Sequence, residues 1–123
     1  MSGALPVLYL CGPMTGLPDS NYPAFNSAAG SLRRAGFEVL NPAENKLEGE
    51  PRWVDYMRAS IGQLMKADAV ALLPGADKSD GAGVETRLAI RLGMEVRAVR
   101  YWLTKQEQDA YMARLQEGAE NGG

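Results

Sequence analysis

Short strand-like runs alternate along this chain with longer segments of helical periodicity, and no other feature constrains the fold as strongly. The runs are Val7–Cys11, Phe37–Leu40, Ala69–Leu73 and Glu95–Val99. The third run is apolar on both faces, which is typical of a strand that is covered by helices on both sides. Regular alternation of strand and helix indicates parallel strands joined by right-handed crossovers.

The segments between and after these runs place apolar residues at helical spacing. Pro23 suits a first helical turn and Gly36 a helix end, while Thr104 and Glu107 form a capping box. The predicted helices cover residues 23–36, 53–65, 84–92 and 104–115. We therefore predict an α/β fold: a three-layer, doubly wound (flavodoxin-like) parallel sheet of four to five strands with helices on both faces. One domain would span residues 1–117, followed by a flexible tail over residues 118–123.

The composition excludes several kinds of chemistry. The chain has no histidine and a single cysteine, Cys11, so it lacks the residues for a histidine triad, a histidine metal site or an internal disulfide. Its net charge of −2 gives no basic surface for nucleic acid or anionic lipid. No apolar run approaches the ~20 residues that span a bilayer. We expect a cytoplasmic protein with no metal or other cofactor and with neither a nucleic acid polymer nor a membrane as partner.

Three loops follow the carboxyl ends of the predicted strands, where sheets of this kind bind ligands. They cover residues 12–21, 41–52 and 74–83. In the first loop, backbone amides and the Thr15 hydroxyl could hold a phosphate or sugar oxygen, although the segment is equally an ordinary Gly-Pro turn. In the third loop, Gly81 and Gly83 allow a ligand to approach the backbone.

Glu85 follows this third loop, at the start of the predicted third helix. A carboxylate in a first helical turn is favoured by the helix dipole, so Glu85 has a purely structural interpretation. The functional interpretation is a nucleophile at the mouth of the sheet crevice. Spacing by itself leaves both interpretations open.

Two motifs carry a resemblance to a known superfamily. The segments Tyr9-Leu-Cys-Gly-Pro-Met-Thr-Gly16 and Ser79-Asp-Gly-Ala-Gly-Val-Glu85 together resemble the nucleoside 2-deoxyribosyltransferase superfamily. Within it, the chain is most similar to the 2′-deoxynucleoside 5′-phosphate N-hydrolases, which have Tyr-x-Cys-Gly on the first strand and a later Ser-x-Gly-x-Gly-x-Glu. The likeness covers roughly residues 7–97. A small bacterial and phage branch shares further features at residues 12–18, 41–44 and 73–75 and at Trp53, Tyr56 and Met57.

This resemblance implies a nucleoside 2-deoxyribosyltransferase-like domain that acts on the glycosidic bond of a (deoxy)nucleoside 5′-monophosphate. Glu85 would attack the anomeric carbon as the nucleophile, and Tyr9 would be the second catalytic residue. The partner would be a small-molecule nucleoside or nucleotide, and the protein would be a homodimer or higher homo-oligomer. Substrate binding would fall to Gly12, Pro13, Met14, Thr15, Gly16, Asn41, Ser79, Gly81 and Gly83.

The chain departs from the superfamily pattern at one position that matters for activity. Superfamily enzymes have an aspartate eight residues before the aspartate that opens the third strand. Counting back from Asp68 gives Ser60. Asp55 lies about 140° away around the helix and cannot replace the missing carboxylate. A non-catalytic nucleotide-binding or sensing module is therefore an alternative to the enzyme. A ribose-phosphate hydrolase of the cytokinin-activating type is another, although its Pro-Gly-Gly-x-Gly-Thr run is absent.

Large apolar residues allow two further expectations. We expect Trp53 and Met57, on the second helix, to pack in the protein core rather than to contact a ligand. Apolar bulk near the C-terminus favours an oligomer, because a small monomer rarely exposes so much of it. That bulk comes from Tyr101, Trp102, Tyr111 and Met112.

Overall fold

Four parallel strands form one sheet in the order β2-β1-β3-β4. The structure is a computed structural model that describes residues 5–121, with side-chain surroundings through residue 118. The strands are β1 (Leu8–Cys11), β2 (Val39–Leu40), β3 (Ala69–Leu72) and β4 (Glu95–Ala98). The helices are α1 (Tyr22–Arg34), α2 (Trp53–Leu64), α3 (Asp80–Arg91) and α4 (Val99–Asn121). The predicted three-layer, flavodoxin-like α/β fold is confirmed.

The alternation of side chains along β1 divides the core into two halves. Leu8 and Leu10 pack on the side covered by α1 and α4. Tyr9 and Cys11 face the opposite side, which α2 and α3 cover. Successive strand residues point to opposite faces, so each of these four buried side chains stabilises one of the two helical layers.

The strand order places a crevice above β1 and β3. The chain passes from β1 to β2 on one side and later returns to β3 on the other side of β1. The connections that leave the carboxyl ends of β1 and β3 therefore diverge, and ligands bind at such a switch point in open α/β sheets. The α3 helix follows β3 and starts at this edge.

Helix α3 begins four residues earlier than its apolar pattern predicts. The Ser79 hydroxyl accepts a hydrogen bond from the backbone nitrogen of Ala82 at 3.3 Å and caps a helix that starts at Asp80. Capping by a serine is worth about 1 kcal/mol, which offsets the low helix propensity of the glycines that follow. Glu85 consequently lies in the second turn of α3, so the prediction of a first-turn position was wrong.

Helix α4 also begins earlier than predicted, directly after β4 at Val99 rather than at Thr104. Trp102 is the reason, because its indole is buried against Phe37 and donates a hydrogen bond to the Val70 carbonyl oxygen at 3.0 Å. This burial outweighs the local capping signal, and it removes Trp102 from the exposed apolar bulk that the sequence indicated.

Helix α4 extends to Asn121, past the predicted end at residue 115 and into the segment that was predicted as a flexible tail. Residues 122–123 of that predicted tail lie outside the described residues. Among residues 5–121, no helix combines the length and apolar character that crossing a membrane requires.

Candidate functional site

A cavity of about 190 Å³ opens at the carboxyl edge of the sheet, above β1 and β3. Its walls come from the loop after β1, the first turns of α1, one face of α2 and the first turns of α3. All three loops that the sequence placed at this edge contribute to it. The cavity is therefore built where the topology of the sheet predicts a ligand.

Glu85 lies at the floor of this cavity and is 5% exposed. The Tyr9 hydroxyl donates a hydrogen bond to its Oε1 atom at 2.9 Å, and the Cys11 thiol donates to the same oxygen at 3.5 Å. Tyr9 and Cys11 are two positions apart on β1 and so point to the same face of the sheet, on which α3 packs. The two donors hold one oxygen of the carboxylate.

The second carboxylate oxygen of Glu85 faces the cavity. Both hydrogen bonds to the carboxylate reach Oε1. Every buried side-chain nitrogen and oxygen among the described residues has a hydrogen-bond partner. Glu85 Oε2 has no hydrogen-bond partner among the described residues, so it is not one of these buried atoms and must be accessible. Because Glu85 lines the cavity, the cavity is where Oε2 is accessible. One oxygen of the carboxylate is thus held by the protein, and the other is accessible.

The protonation states follow from burial and from the shared hydrogen bonds. Burial raises the pKa of Glu85, while the hydrogen bonds from Tyr9 and Cys11 lower it in part. Burial and the Glu85 charge also raise the pKa of Tyr9 and that of the Cys11 thiol. Both groups are therefore protonated donors at neutral pH, and both donate to the Glu85 carboxyl group.

Ser60 lies in the cavity wall on α2, where the superfamily pattern expects an aspartate. The Ser60 hydroxyl lies near the Tyr9 hydroxyl. Its interaction with Tyr9 lowers the pKa of Tyr9 and so offsets part of the increase that burial causes. Asp55 does not compensate, because its Oδ2 accepts from the Arg52 backbone nitrogen at 2.8 Å at the start of α2. Among the described residues that line the cavity, Glu85 alone carries a carboxylate.

Five of the nine predicted substrate-binding residues line the cavity, namely Gly12, Met14, Thr15, Ser79 and Gly81. Pro13 lines a second depression next to the cavity, which is described below. The structure does not bring Gly16, Asn41 or Gly83 into the cavity lining.

Asn41 is buried beside the cavity rather than in its wall. Its amide nitrogen donates to Asn26 Oδ1 at 3.0 Å, and its Oδ1 accepts from the Ala43 backbone nitrogen at 3.0 Å. Both polar groups of the side chain are thus satisfied within the protein. Asn41 shapes the turn after β2, in which Pro42 reaches the cavity.

Close packing explains two of the glycines at the site. A side chain at Gly12 would approach Leu73 Cβ to 2.8 Å, and one at Gly81 would approach Met57 Sδ to 3.0 Å. A larger residue at position 12 would push the first loop away from Leu73, whereas at position 81 the flexible end of the Met57 side chain would have to shift. These glycines allow the cavity walls to meet, and this role was not distinguishable from a ligand contact in the sequence.

A second, wider depression of about 840 Å³ continues from the cavity along the start of α3. We call it the adjoining groove. It shares Thr15, Trp53, Ser79 and Gly81 with the cavity, and its charged lining residues in the described part of the chain are Lys78 and Asp80. The cavity lining itself includes no lysine or arginine among the described residues. Of the described residues, Lys78 thus brings positive charge next to the cavity, in a groove that Asp80 also lines.

The sequence did not identify the aromatic residues of α2 as part of the site. Trp53 is 47% exposed and lines the cavity together with Tyr56 and Met57, so the prediction that Trp53 and Met57 belong to the core was wrong. The position of these residues in the chain was the signal that could have identified them. The second loop ends where α2 begins, so the first turns of α2 lie at the carboxyl edge of the sheet.

The segment before α1 is strained. Asp19, Ser20 and Asn21 have φ angles of 51°, 53° and 62°, in the left-handed region. Each such residue costs on the order of 1–3 kcal/mol, and such strain tends to accumulate near functional sites. Asn21 offsets part of the cost by donating its side-chain amide to the Pro13 carbonyl oxygen at 2.9 Å. Ser20 thereby reaches the cavity wall.

Fold and site together place the protein among the flavodoxin-like α/β domains, with a cavity at the edge where that architecture binds its ligands. The chain belongs to a family described as "Domain of unknown function (DUF4406)", whose model matches residues 6–98. The match begins two residues before β1 and ends with the last residue of β4, so it includes every element that lines the cavity. No curated protein matches the chain.

Proposed function

We propose that this protein is an N-glycosidase or 2-deoxyribosyltransferase of the nucleoside 2-deoxyribosyltransferase superfamily, acting on a (deoxy)nucleoside 5′-monophosphate. The observation that carries the proposal is the Glu85 carboxylate, whose Oε1 accepts from Tyr9 while Oε2 is open to the cavity. The two motifs that resemble the superfamily supply these residues, together with Cys11.

The chemistry is that of a retaining glycosidase. Glu85 Oε2 attacks the anomeric carbon, and the bond from that carbon to the base nitrogen breaks with its electron pair on the base, which takes up a proton from solvent. A covalent glycosyl ester remains on Glu85. Water or a second base then attacks the same carbon and releases the carboxylate. The missing 2-hydroxyl of a deoxy sugar assists, because no electron-withdrawing oxygen opposes positive charge at the anomeric carbon.

The 5′-phosphate would lie where the cavity meets the adjoining groove. Thr15 and Ser79 offer hydroxyl groups there. Helix α3 begins at the same edge, and the N-terminus of a helix favours an anion. Lys78 would supply the counter-charge, and Asp80 lines the same groove. This arrangement favours a nucleotide over a nucleoside.

Base release tests the proposal. The full chain is incubated with deoxynucleosides, deoxynucleoside monophosphates and ribonucleoside monophosphates, and free base is separated and quantified. Glu85→Gln should reduce base release about 10³-fold or more while nucleotides still bind, since the variant keeps the shape and removes the nucleophile. The matched control is Glu117→Gln, on the exposed end of α4. Unchanged base release in Glu85→Gln would contradict the proposal. Release confined to ribonucleotides would favour a ribose-phosphate hydrolase.

A second candidate is a non-catalytic nucleotide-binding or sensing module. Ser60 favours it, because it stands where the superfamily pattern has an aspartate and no second carboxylate lines the cavity in the described part of the chain. The two candidates differ in one outcome. If deoxynucleotides bind but neither the parent protein nor Ser60→Asp releases base from any of them, the sensing module is the correct function.

A further inference from the structure

Two of the large aromatic side chains on α2 lie exposed at the mouth of the cavity. Trp53 is 47% exposed and Tyr56 is 40% exposed, and both line the cavity. Residues three positions apart are neighbours on one face of a helix, so the two rings border the same space. Among the described residues, the only other aromatic side chain with comparable exposure is Tyr111, on α4.

The cavity is too small for a whole nucleotide. Sites that enclose an entire small-molecule ligand typically measure about 300–1,000 Å³, whereas this cavity measures about 190 Å³. Part of any nucleotide held at Glu85 must therefore remain at the mouth. Because α2 forms the wall there, that part meets Trp53 and Tyr56.

The chemistry of this wall fits a flat, uncharged group. It consists of an indole, a phenol and the Met57 thioether, and no lysine or arginine lines the cavity among the described residues. Aromatic faces bind planar rings by stacking, and a thioether adds a polarisable contact at a ring edge. A phosphate, by contrast, finds its counter-charge in the adjoining groove.

The indole of Trp53 lies against the start of α3. Its Nε1 atom lies 3.8 Å from the position that a Cβ atom on Gly81 would occupy. Trp53 therefore lies within van der Waals distance of the first turn of α3. A ring that packs against its own protein loses less freedom than a free one when a ligand stacks on it.

We propose that Trp53 and Tyr56 form a stacking surface for the nucleobase of the bound nucleotide. This inference rests on the proposed function, in which the base is the part of the substrate that leaves the anomeric carbon. The surface binds any planar heteroaromatic ring, and it binds the sugar phosphate alone only weakly.

Intrinsic fluorescence tests the stacking directly. The chain has two tryptophans, and Trp102 is buried with its indole nitrogen bonded to Val70, so a ligand in the cavity affects mainly Trp53. The probes are deoxyadenosine monophosphate, thymidine monophosphate and deoxyribose 5-phosphate, which has no base. We expect both nucleotides to quench the emission and deoxyribose 5-phosphate to leave it unchanged.

Binding measurements on variants complete the test. Trp53→Leu and Tyr56→Leu should each weaken nucleotide binding, measured by calorimetry, about 10-fold. Trp53→Phe should retain most of the affinity, since it keeps an aromatic face. The control is Tyr111→Leu, an equally exposed position on α4, which should bind like the parent. Nucleotide binding that is unaffected in Trp53→Leu and in Tyr56→Leu overturns the stacking surface.

The outcomes for stacking and for catalysis are distinguishable. If nucleotides quench Trp53 and lose affinity in the leucine variants, but no base is ever released, the stacking surface stands and the proposed activity fails. If base release depends on Glu85 while KM is the same in parent, Trp53→Leu and Tyr56→Leu, the activity stands and the stacking surface is overturned.

Discussion

Tyr9 donates its phenolic hydrogen to Glu85 across 76 residues of sequence, and at 2.9 Å this hydrogen bond joins β1 to α3 inside the core. Both side chains are almost completely buried. A hydrogen bond to a buried carboxylate is stronger than one between neutral groups, and removing the donor leaves the charge less compensated. The pair therefore affects both the orientation of Glu85 and its ionisation.

Tyr9→Phe should shift the pH dependence of base release. The Tyr9 hydrogen bond lowers the pKa of Glu85, so its loss raises that pKa. The nucleophile must be ionised, and the acid limb of kcat/KM should therefore move to higher pH. The plateau rate should also fall, by about 10-fold or more, because Oε1 loses its closest donor. The pH–rate profile measures both effects. Tyr111→Phe, exposed on α4, is the control, and an unmoved acid limb in Tyr9→Phe contradicts the prediction.

Glu85→Gln should stabilise the protein at neutral pH. Because burial raises the pKa of Glu85 in the folded state, the folded protein holds this proton more tightly than the unfolded chain does. Stability consequently falls as pH rises from the unfolded pKa to the folded one, and the penalty persists above it. The variant lacks that penalty, so its Tm at pH 7 should exceed that of the parent by roughly 3 °C or more.

The pH dependence of this increase in Tm distinguishes the removal of a buried charge from a change in packing. The gain should shrink toward pH 4, where the parent carboxyl is protonated in the folded state. Glu117→Gln should leave Tm unchanged at either pH, since that residue is exposed. An equal gain at pH 4 and pH 7 would assign the effect to packing.

Ser60→Asp should raise the rate of base release. Ser60 faces the cavity from α2, at the position where the superfamily pattern has a carboxylate. A positioned acid–base group is worth about 10²–10⁴-fold. Single-turnover rates with the best deoxynucleotide measure the gain, and Ser60→Asn controls for shape without charge. A rate in Ser60→Asp no higher than in Ser60→Asn would show that the cavity geometry does not use this carboxylate.

Deoxynucleoside monophosphates should stabilise the protein more than the corresponding nucleosides do. Lys78 and the hydroxyl groups of Thr15 and Ser79 border the space assigned to the phosphate. A ligand at 100 times its Kd adds about 2.7 kcal/mol to the stability. Thermal-shift titrations should therefore rank nucleotide above nucleoside, and Lys78→Ala should narrow the difference, whereas Lys66→Ala, on an exposed turn, should not. Equal stabilisation by nucleosides contradicts the phosphate assignment.

The protein should form a homodimer or higher homo-oligomer through the C-terminal half of α4. Tyr111, Met112 and Leu115 are 55%, 57% and 49% exposed there, and an isolated helical segment of this length is only marginally stable in water. Light scattering at micromolar concentration measures the mass. Replacing Met112 and Leu115 together by aspartate should yield a monomer, while Leu92→Asp, exposed at the end of α3, should not. A monomeric parent protein would refute the prediction.

Periodicity predicted the elements of this fold better than their ends. The apolar run at Ala69–Leu73 and the helical spacing after Trp53 identify β3 and α2 nearly to the residue. The start of α3 differs because Ser79 caps a glycine-containing turn that has no apolar pattern. Local patterns report which face of an element is apolar, and they carry less information about where a cap or a buried side chain ends it.

The resemblance of its motif to a known superfamily singled out Glu85, whose role spacing alone left open. The sequence patterns by themselves determined the layered parallel sheet and the edge that carries the candidate site. These follow from short-range patterns, because apolar periodicity and loop composition are properties of neighbouring residues. Only the tertiary structure decided that Tyr9 and Cys11 share one oxygen of Glu85, that Asn41 is satisfied within the protein and that Trp53 lines the cavity. Those facts depend on how α2 and α3 pack across the sheet, and that packing is set by contacts between residues far apart in the chain.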